Sequence, residues 1–243
     1  IFWLWLAWNP ARAGHRPLDR HEIWLLALAG LVVFGDYASW HVSLKLTSVA
    51  NLTLLANLVP IFVALYATVV LRRPPRAAFL GAMVITLAGA ALLLHGSLSL
   101  SLDRAMGDGL AVITAMFYAA YVILVARLRE TMSTARLMAW TGTIAGPLFL
   151  ALALATGETI LPATARGWLI VVGLVLLCQV LGSGLIAYAL AHLPATLSSL
   201  TLLLQPVFSA LGAWVILGER LGVIELAGGS LVLIGVYLAR RTS

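Results

Sequence analysis

The acidic residue Asp36 lies inside a long apolar stretch of the sequence, residues 23–44. An ionised aspartate near the centre of a lipid bilayer costs about 2.5–3.5 kcal/mol on insertion scales, so its side chain should face a hydrated cavity or a partner group. A carboxylate in that position can pair with a substrate amine, or it can carry a proton. A structural aspartate held by neighbouring helices is the alternative.

Other polar and aromatic side chains recur at helical spacing in the apolar stretches. Trp40, Ser43 and Thr47 follow Asp36 at i+4, i+7 and i+11, on one face of a helix. Similar stripes are formed by Thr53 and Asn57, by Thr114, Tyr118 and Tyr121, by Gln179 and Ser183, and by Ser198, Thr201 and Gln205. We predict that Asp36, Trp40, Ser43 and these stripes bind substrate, with hydrogen bonds between helices and aromatic packing as the equally simple alternatives.

Other kinds of chemistry have little support in the sequence. His41, His95 and His192 lack the spacing of metal ligands, and the single cysteine excludes a paired-cysteine motif. A phosphate-binding GxxxxGK[ST] loop is also missing from the sequence. We therefore predict no metal, no cofactor, no nucleic-acid partner and no enzyme activity, and an intramembrane enzyme remains only a remote alternative.

The elements that position these residues are membrane-spanning helices. Apolar residues make up 62% of the 243 residues and charged residues only 10%, against about 45–50% and 25% in soluble domains. The apolar stretches are long enough for spanning helices, and they are continuously apolar, unlike barrel strands. Eight of them lie at 23–44, 48–71, 77–94, 109–126, 137–155, 168–191, 195–217 and 222–239. The sequence thus predicts an all-α integral membrane protein with lipid around it; a homo-oligomer is compatible with this.

The basic residues predict how the chain is oriented. Alternate connections place eleven Lys and Arg residues on one side of the membrane and four on the other, Lys45, Arg104, Arg166 and Arg220. The positive-inside rule assigns the first side, with the C-terminus, to the cytoplasm. We expect a multi-pass protein of the inner (cytoplasmic) membrane.

An internal repeat relates the two halves of the chain. A shift of 146 residues aligns Pro60 with Pro206 and Phe62 with Phe208 inside spanning stretches. Five spans separate the members of each pair, and an odd number inverts the second copy, as in secondary transporters. Both prolines should kink their helices.

The repeat also predicts domain boundaries and a helix count. The first repeat covers 1–94 and is incomplete at its N-terminus, a loop covers 95–108, and the second repeat covers 109–243. Residues 1–8 span only about 12 Å, about half of a spanning helix. We expect two inverted five-helix units, ten helices in the intact protein, of which this chain holds about eight and a half. Gly81 with Gly89, and Gly228 with Gly235, are expected at close helix contacts.

The sequence resembles the EamA-like family of the drug/metabolite transporter superfamily. The resemblance rests on the segment 44–60, on its counterpart from Ala191 to Phe208 with the following 217–220, and on the segment that begins at Gly107-Asp108-Gly109. It implies a ten-helix carrier with both termini in the cytoplasm and a central cavity that opens to each side in turn.

Together these features predict a secondary active transporter for a small metabolite such as an amino acid, an amine or a drug-like solute. We expect alternating access, export, and exchange against protons with Asp36 as the coupling residue. An uncoupled facilitative carrier and a channel remain as alternatives.

Overall fold

The computed structural model describes residues 2–8, 17–95, 102–212, 214–215 and 222–242. Within these residues the chain forms twelve α-helices, a 3₁₀ turn at Leu102–Arg104 and a π-helical segment at Leu174–Ser183. The α-helices are α1 Phe2–Trp8, α2 Arg20–Leu46, α3 Val49–Ala56, α4 Val59–Val69, α5 Ala77–Leu93, α6 Ala105–Leu128, α7 Thr134–Ala155, α8 Ala165–Gly173, α9 Gly184–Ala189, α10 Ala195–Thr201, α11 Leu204–Gly212 and α12 Val223–Thr242.

Within the described ranges, seven stretches are long and apolar enough to cross a membrane: Arg20–Leu46, Val49–Val69, Ala105–Leu128, Thr134–Ala155, Ala165–Ala189, Ala195–Gly212 and Val223–Arg241. Three of them contain more than one helix, because turns or the π-helical segment interrupt them. The apolar helix α5 is shorter, with 17 residues, and would extend about 25 Å. The predicted all-α membrane fold is confirmed.

The helix boundaries repeat with the 146-residue shift found in the sequence. Helix α3 begins at Val49 and α10 at Ala195 (49 + 146 = 195), and α5 begins at Ala77 and α12 at Val223 (77 + 146 = 223). The residues that cap α3 and α10, Ser48 and Pro194, differ by the same number (48 + 146 = 194). The two-repeat organisation is therefore present in the helices as well as in the sequence.

Helices α5 and α12 occupy equivalent places in the two repeats and pack against each other. A Cβ added to Gly89 would lie 2.7 Å from the backbone nitrogen of Val232 and 2.8 Å from the carbonyl oxygen of Gly228. One added to Gly235, the counterpart of Gly89, would lie 2.9 Å from the nitrogen of Thr86 and 3.0 Å from the oxygen of Ala82.

These two sets of contacts are equivalent under the repeat, since 86 + 146 = 232 and 82 + 146 = 228. Residue numbers rise along α5 as they fall along α12, so the two helices are antiparallel. A twofold axis between inverted repeats produces such an antiparallel pair, in which each contact has an equivalent one at residue numbers shifted by 146. Gly81, by contrast, has no atom within 4 Å of an added Cβ, so the expectation that it lies at a close helix contact is wrong.

The helices that contain Pro60 and Pro206 are interrupted just before each proline. The first interruption lies at Asn57–Leu58, between α3 and α4, and the second at Leu202–Leu203, between α10 and α11. At each one the backbone switches to i→i−3 hydrogen bonds, from Leu58 to Leu55 (3.1 Å) and from Leu203 to Leu200 (3.1 Å). Proline has no N–H to donate, so at each site the i→i−4 hydrogen bond to the carbonyl four residues earlier is missing.

The chain forms two compact units. The first contains Ile1–Phe34 and Tyr121–Leu193, and the second contains Gly35–Ala120 and Pro194–Ser243. In the first unit α1 packs on α7, where Leu6 contacts Ala135 and Ala139. In the second unit a core cluster joins α4, α5, α10, α11 and α12.

Candidate functional site

Asp36 lies on α2 at the edge of a close contact with α6. Its neighbour Gly35 faces the ring of Phe117, and a Cβ on Gly35 would lie 2.7 Å from Phe117 Cζ. The side chain of Asp36 is half-buried. Among the residues that the structure describes, none donates a hydrogen bond to its carboxylate.

Ser43 and Thr114, two of the predicted substrate-binding residues, lie between α2 and α6. Ser43 is fully buried and donates a hydrogen bond from Oγ to the carbonyl oxygen of Gly107 at 2.8 Å. Thr114 Oγ1 lies 2.7 Å from Ser39 Oγ, and both side chains are buried. These hydroxyl groups therefore connect helices in this conformation. Trp40, on the same helix, packs against a small core of Leu52, Ala56 and Ala111.

Thr53 and Asn57 lie at the first helix interruption. Thr53 donates its hydroxyl to the carbonyl oxygen of Val49 at 2.7 Å, and Asn57 Nδ2 donates to that of Thr53 at 2.8 Å. Both side chains are half-buried. The Asn57 amide thus stabilises the end of α3 where the regular backbone pattern stops, a type of position that forms substrate and ion sites in transporters.

Ser198, Thr201 and Gln205 lie around the second interruption. Ser198 is 7% exposed, and its Oγ has no hydrogen-bond partner among the described residues. Thr201 donates its hydroxyl to the carbonyl oxygen of Leu197 at 2.7 Å, while Gln205 is exposed at the start of α11. A buried hydroxyl group without a hydrogen-bond partner is uncommon in proteins.

The remaining predicted residues lie on α6 and on the π-helical segment. Tyr118 is half-buried, and the hydroxyl group of Tyr121 lies 3.7 Å from the sulfur of Met138. On the π-helical segment Ser183 Oγ donates to Gln179 Oε1 at 3.4 Å. A π-helical segment widens the turn and is frequent at functional sites. Tyr121, Gln179 and Ser183 belong to the first unit, and the other predicted residues belong to the second.

The sequence analysis missed one polar cluster, which centres on Asp108 in the first turn of α6. Thr47 Oγ1 donates to Asp108 Oδ1 at 2.6 Å, and Asn51 Nδ2 lies 3.2 Å from the same oxygen. The four-residue spacing of Ser43, Thr47 and Asn51 was the available signal. We interpreted Gly107-Asp108-Gly109 only as the start of a helix.

Comparisons with known proteins agree on one family. A family model described as the EamA-like transporter family matches residues 1–95 and 105–241. A protein of Archaeoglobus fulgidus named as an uncharacterized transporter is 27% identical over 240 residues, which cover 96% of this chain and 81% of that protein. The pseudopaline exporter CntI of Pseudomonas aeruginosa is 27% identical over 233 residues, covering 93% of this chain and 78% of the exporter.

A solved structure shows the same fold. This crystal structure, which is described only as that of a protein, superposes with a TM-score of 0.79 at 21% sequence identity. The superposition covers 98% of this chain and 84% of the other.

Proposed function

The chain belongs to the EamA-like transporter family, and from this premise we propose that it exports a small polar metabolite in exchange for protons, with Asp36 as the coupling residue. The chain is thus a multi-pass membrane transporter and not an enzyme. The proposal adds the direction of transport, the driving ion and the residues that bind.

The observation that carries the proposal is the environment of Asp36. A carboxylate in a 27-residue apolar helix, without a donor among the described residues, is poorly stabilised when it is ionised and unpaired. A proton or a substrate cation removes that cost, and the two compete for one group. Competition of this kind is sufficient to exchange a substrate against protons.

The interrupted helices supply the other part of the proposed site. Asn57 and the hydroxyl group of Ser198, which has no hydrogen-bond partner in the part of the chain that the structure describes, lie next to the two interruptions, in equivalent helices of the two repeats. We include Trp40, Thr53, Tyr118, Thr201 and Gln205 with them as substrate contacts in the second unit. In the first unit we propose Tyr121, Gln179 and Ser183 as further contacts. We assign Ser43 and Thr114 to helix packing, because their hydroxyl groups join α2 to α6, whereas the hydroxyl groups of Thr53 and Thr201 bond only within their own helices.

Two further observations support the proposed direction of transport and the proposed location of the protein. One relative is named as an exporter. The excess of Lys and Arg on one side supports a cytoplasmic C-terminus by the positive-inside rule. We therefore propose that the protein lies in the inner membrane and moves its substrate outward.

The test is the replacement of Asp36 by Asn in proteoliposomes. A substrate is first found by thermal stabilisation of the purified protein in a panel of amino acids, polyamines, nucleosides and cationic drugs. A gradient of that compound should then move protons through the wild type, and Asp36→Asn should reduce this proton flux at least about tenfold. Asp103→Asn, which changes an exposed carboxylate outside the spans, is the matched control. Undiminished proton movement in Asp36→Asn would eliminate the coupling role.

A further inference from the structure

Asp108 holds three helix ends together on one side of the second unit. It lies in the first turn of α6 and accepts hydrogen bonds from Thr47, which follows α2, and from Asn51 in the first turn of α3. Asn51 Nδ2 also lies 3.4 Å from the second carboxylate oxygen. We call Thr47, Asn51 and Asp108 the Asp108 clamp.

The backbone around the clamp is packed closely. A Cβ on Gly107 would lie 2.8 Å from the carbonyl carbon of Leu46 and 2.9 Å from Thr47 Cβ, so only glycine fits there without movement. The carbonyl oxygen of Gly107 also accepts the Ser43 hydrogen bond. Gly107 therefore provides the close approach, and Asp108 provides the acceptor that the two donors need.

The contact between α2 and α6 continues from the clamp toward Asp36. Ser43 is hydrogen-bonded to Gly107, and Ser39 to Thr114. Farther along the two helices, Gly35 packs against the ring of Phe117. These contacts run antiparallel along the two helices and end beside the proposed coupling residue. The position of Asp36 therefore depends on how α2 is held against α6.

We propose that the Asp108 clamp keeps α2, α3 and α6 together as one body throughout transport and so fixes the position of Asp36. Asp108 is then a positioning residue, and its carboxylate neither binds substrate nor carries the transported proton. The role in transport rests on the proposed function. This rigid group contains α2 and α3, which belong to the first repeat, and α6, the first helix of the second repeat. The helices that stay together in the proposal are therefore not those of a single sequence repeat.

The alternative is that the helices separate at the Asp108 clamp during transport. The burial of residues in and beside the clamp argues against this alternative. Asn51 is 5% exposed and Ser43 is 0% exposed, and an opening at this end would bring both to water. It would also separate the buried pair of Ser39 and Thr114. Packed polar groups of this kind hold helices in one arrangement.

The test exchanges the donor and the acceptor of the clamp. Asn51→Asp alone places two carboxylates within hydrogen-bond distance, and their repulsion should lower the melting temperature by about 5 °C. The double variant Asn51→Asp with Asp108→Asn restores one amide and one carboxylate, and should recover most of that loss. An unchanged melting temperature in Asn51→Asp, or no recovery in the double variant, would overturn the clamp.

A transport assay separates a positioning role of Asp108 from a role in carrying the transported proton. Counterflow is measured with radiolabelled leucine, putrescine and uridine in wild type, Asn51→Asp, the double variant and Asp103→Asn as the control. The Asn51→Asp variant should exchange substrate about tenfold more slowly than the wild type. The double variant should exchange it at a rate within about threefold of the wild type, although its carboxylate now lies at position 51 instead of position 108. A double variant that regains stability but not transport would overturn the positioning role. A wild type that exchanges none of the three probes would count against the proposed function, and the melting temperatures would still decide the clamp.

Discussion

Two aspartates on neighbouring helices show how environment decides the role of one residue type. Asp108 accepts hydrogen bonds from Thr47 and Asn51, so its charge is satisfied locally. The carboxylate of Asp36 has no hydrogen-bond donor within the described part of the chain. The sequence indicated Asp36 as a candidate for chemistry, because a lone acid in an apolar span is unusual, and this role stays a prediction. Asp108 was not predicted, because its partners Thr47 and Asn51 lie 61 and 57 positions earlier in the sequence.

Arg129 provides a further test at the scale of single residues. This half-buried residue follows α6, and its Nε donates to the carbonyl oxygen of Ala187 in the last turn of α9 at 3.3 Å. Its guanidinium group also donates to the carbonyl oxygen of Met132. Burial lowers the pKa of Arg129, and the neighbouring Tyr188 opposes part of that change. A guanidinium group stays protonated at physiological pH all the same.

We expect Arg129→Gln to destabilise the protein by about 1–2 kcal/mol, because charged donors to helix-end carbonyls are lost. The loss should be the same from about pH 5 to pH 9, since Arg129 does not titrate there. Arg73→Gln, at an exposed position, should cost less than about 0.5 kcal/mol. Equal melting temperatures for the two variants would contradict this role of Arg129.

At the scale of elements, the internal repeat was the most informative feature of the sequence. Aligned prolines indicated two irregular helices, and the structure interrupts both within a few residues of Pro60 and Pro206. Pro147 lies in α7 and has no counterpart of this kind, and α7 continues through it. A repeated proline was therefore a better guide to an interruption than proline alone.

Helix packing was harder to predict from the sequence. Residues at i and i+4 share a face, but the pattern does not say which helix that face meets. Ser43 and Thr114 were predicted as substrate contacts on this basis, and in the structure their hydroxyl groups join α2 to α6. Such contacts depend on the rotation of each helix about its axis, which only the folded chain fixes.

The crossing of α5 and α12 makes a prediction at this scale. A methyl group on Gly235 would overlap the Thr86 hydroxyl group and lie 2.9 Å from the Thr86 backbone nitrogen. Gly235→Ala should therefore cost about 1–3 kcal/mol, because the backbone of α5 would have to move. Gly81→Ala, on α5 itself but in open space, should be neutral or stabilise by up to about 1 kcal/mol. Thermal melting in detergent compares the two, and a Gly235→Ala variant as stable as Gly81→Ala would contradict the close crossing.

At the scale of the molecule, the two sequence repeats and the two compact units divide the chain differently. Repeats are contiguous in sequence, whereas each unit combines parts of both halves, with boundaries inside α2 and α6. Composition and periodicity predicted a helical membrane protein because apolar length depends on local sequence alone. The grouping into units depends on contacts between distant helices, which the sequence pattern did not contain.

The central claim is that this molecule is a carrier, and counterflow in proteoliposomes tests it most directly. Vesicles are loaded with an excess of the unlabelled compound that stabilises the protein, and uptake of a trace of the labelled compound is followed. A carrier binds one molecule at a time and exchanges it, so we predict a transient accumulation of label above equilibrium that saturates with concentration. Uptake that rises linearly with concentration and never exceeds equilibrium would identify a channel and contradict the account.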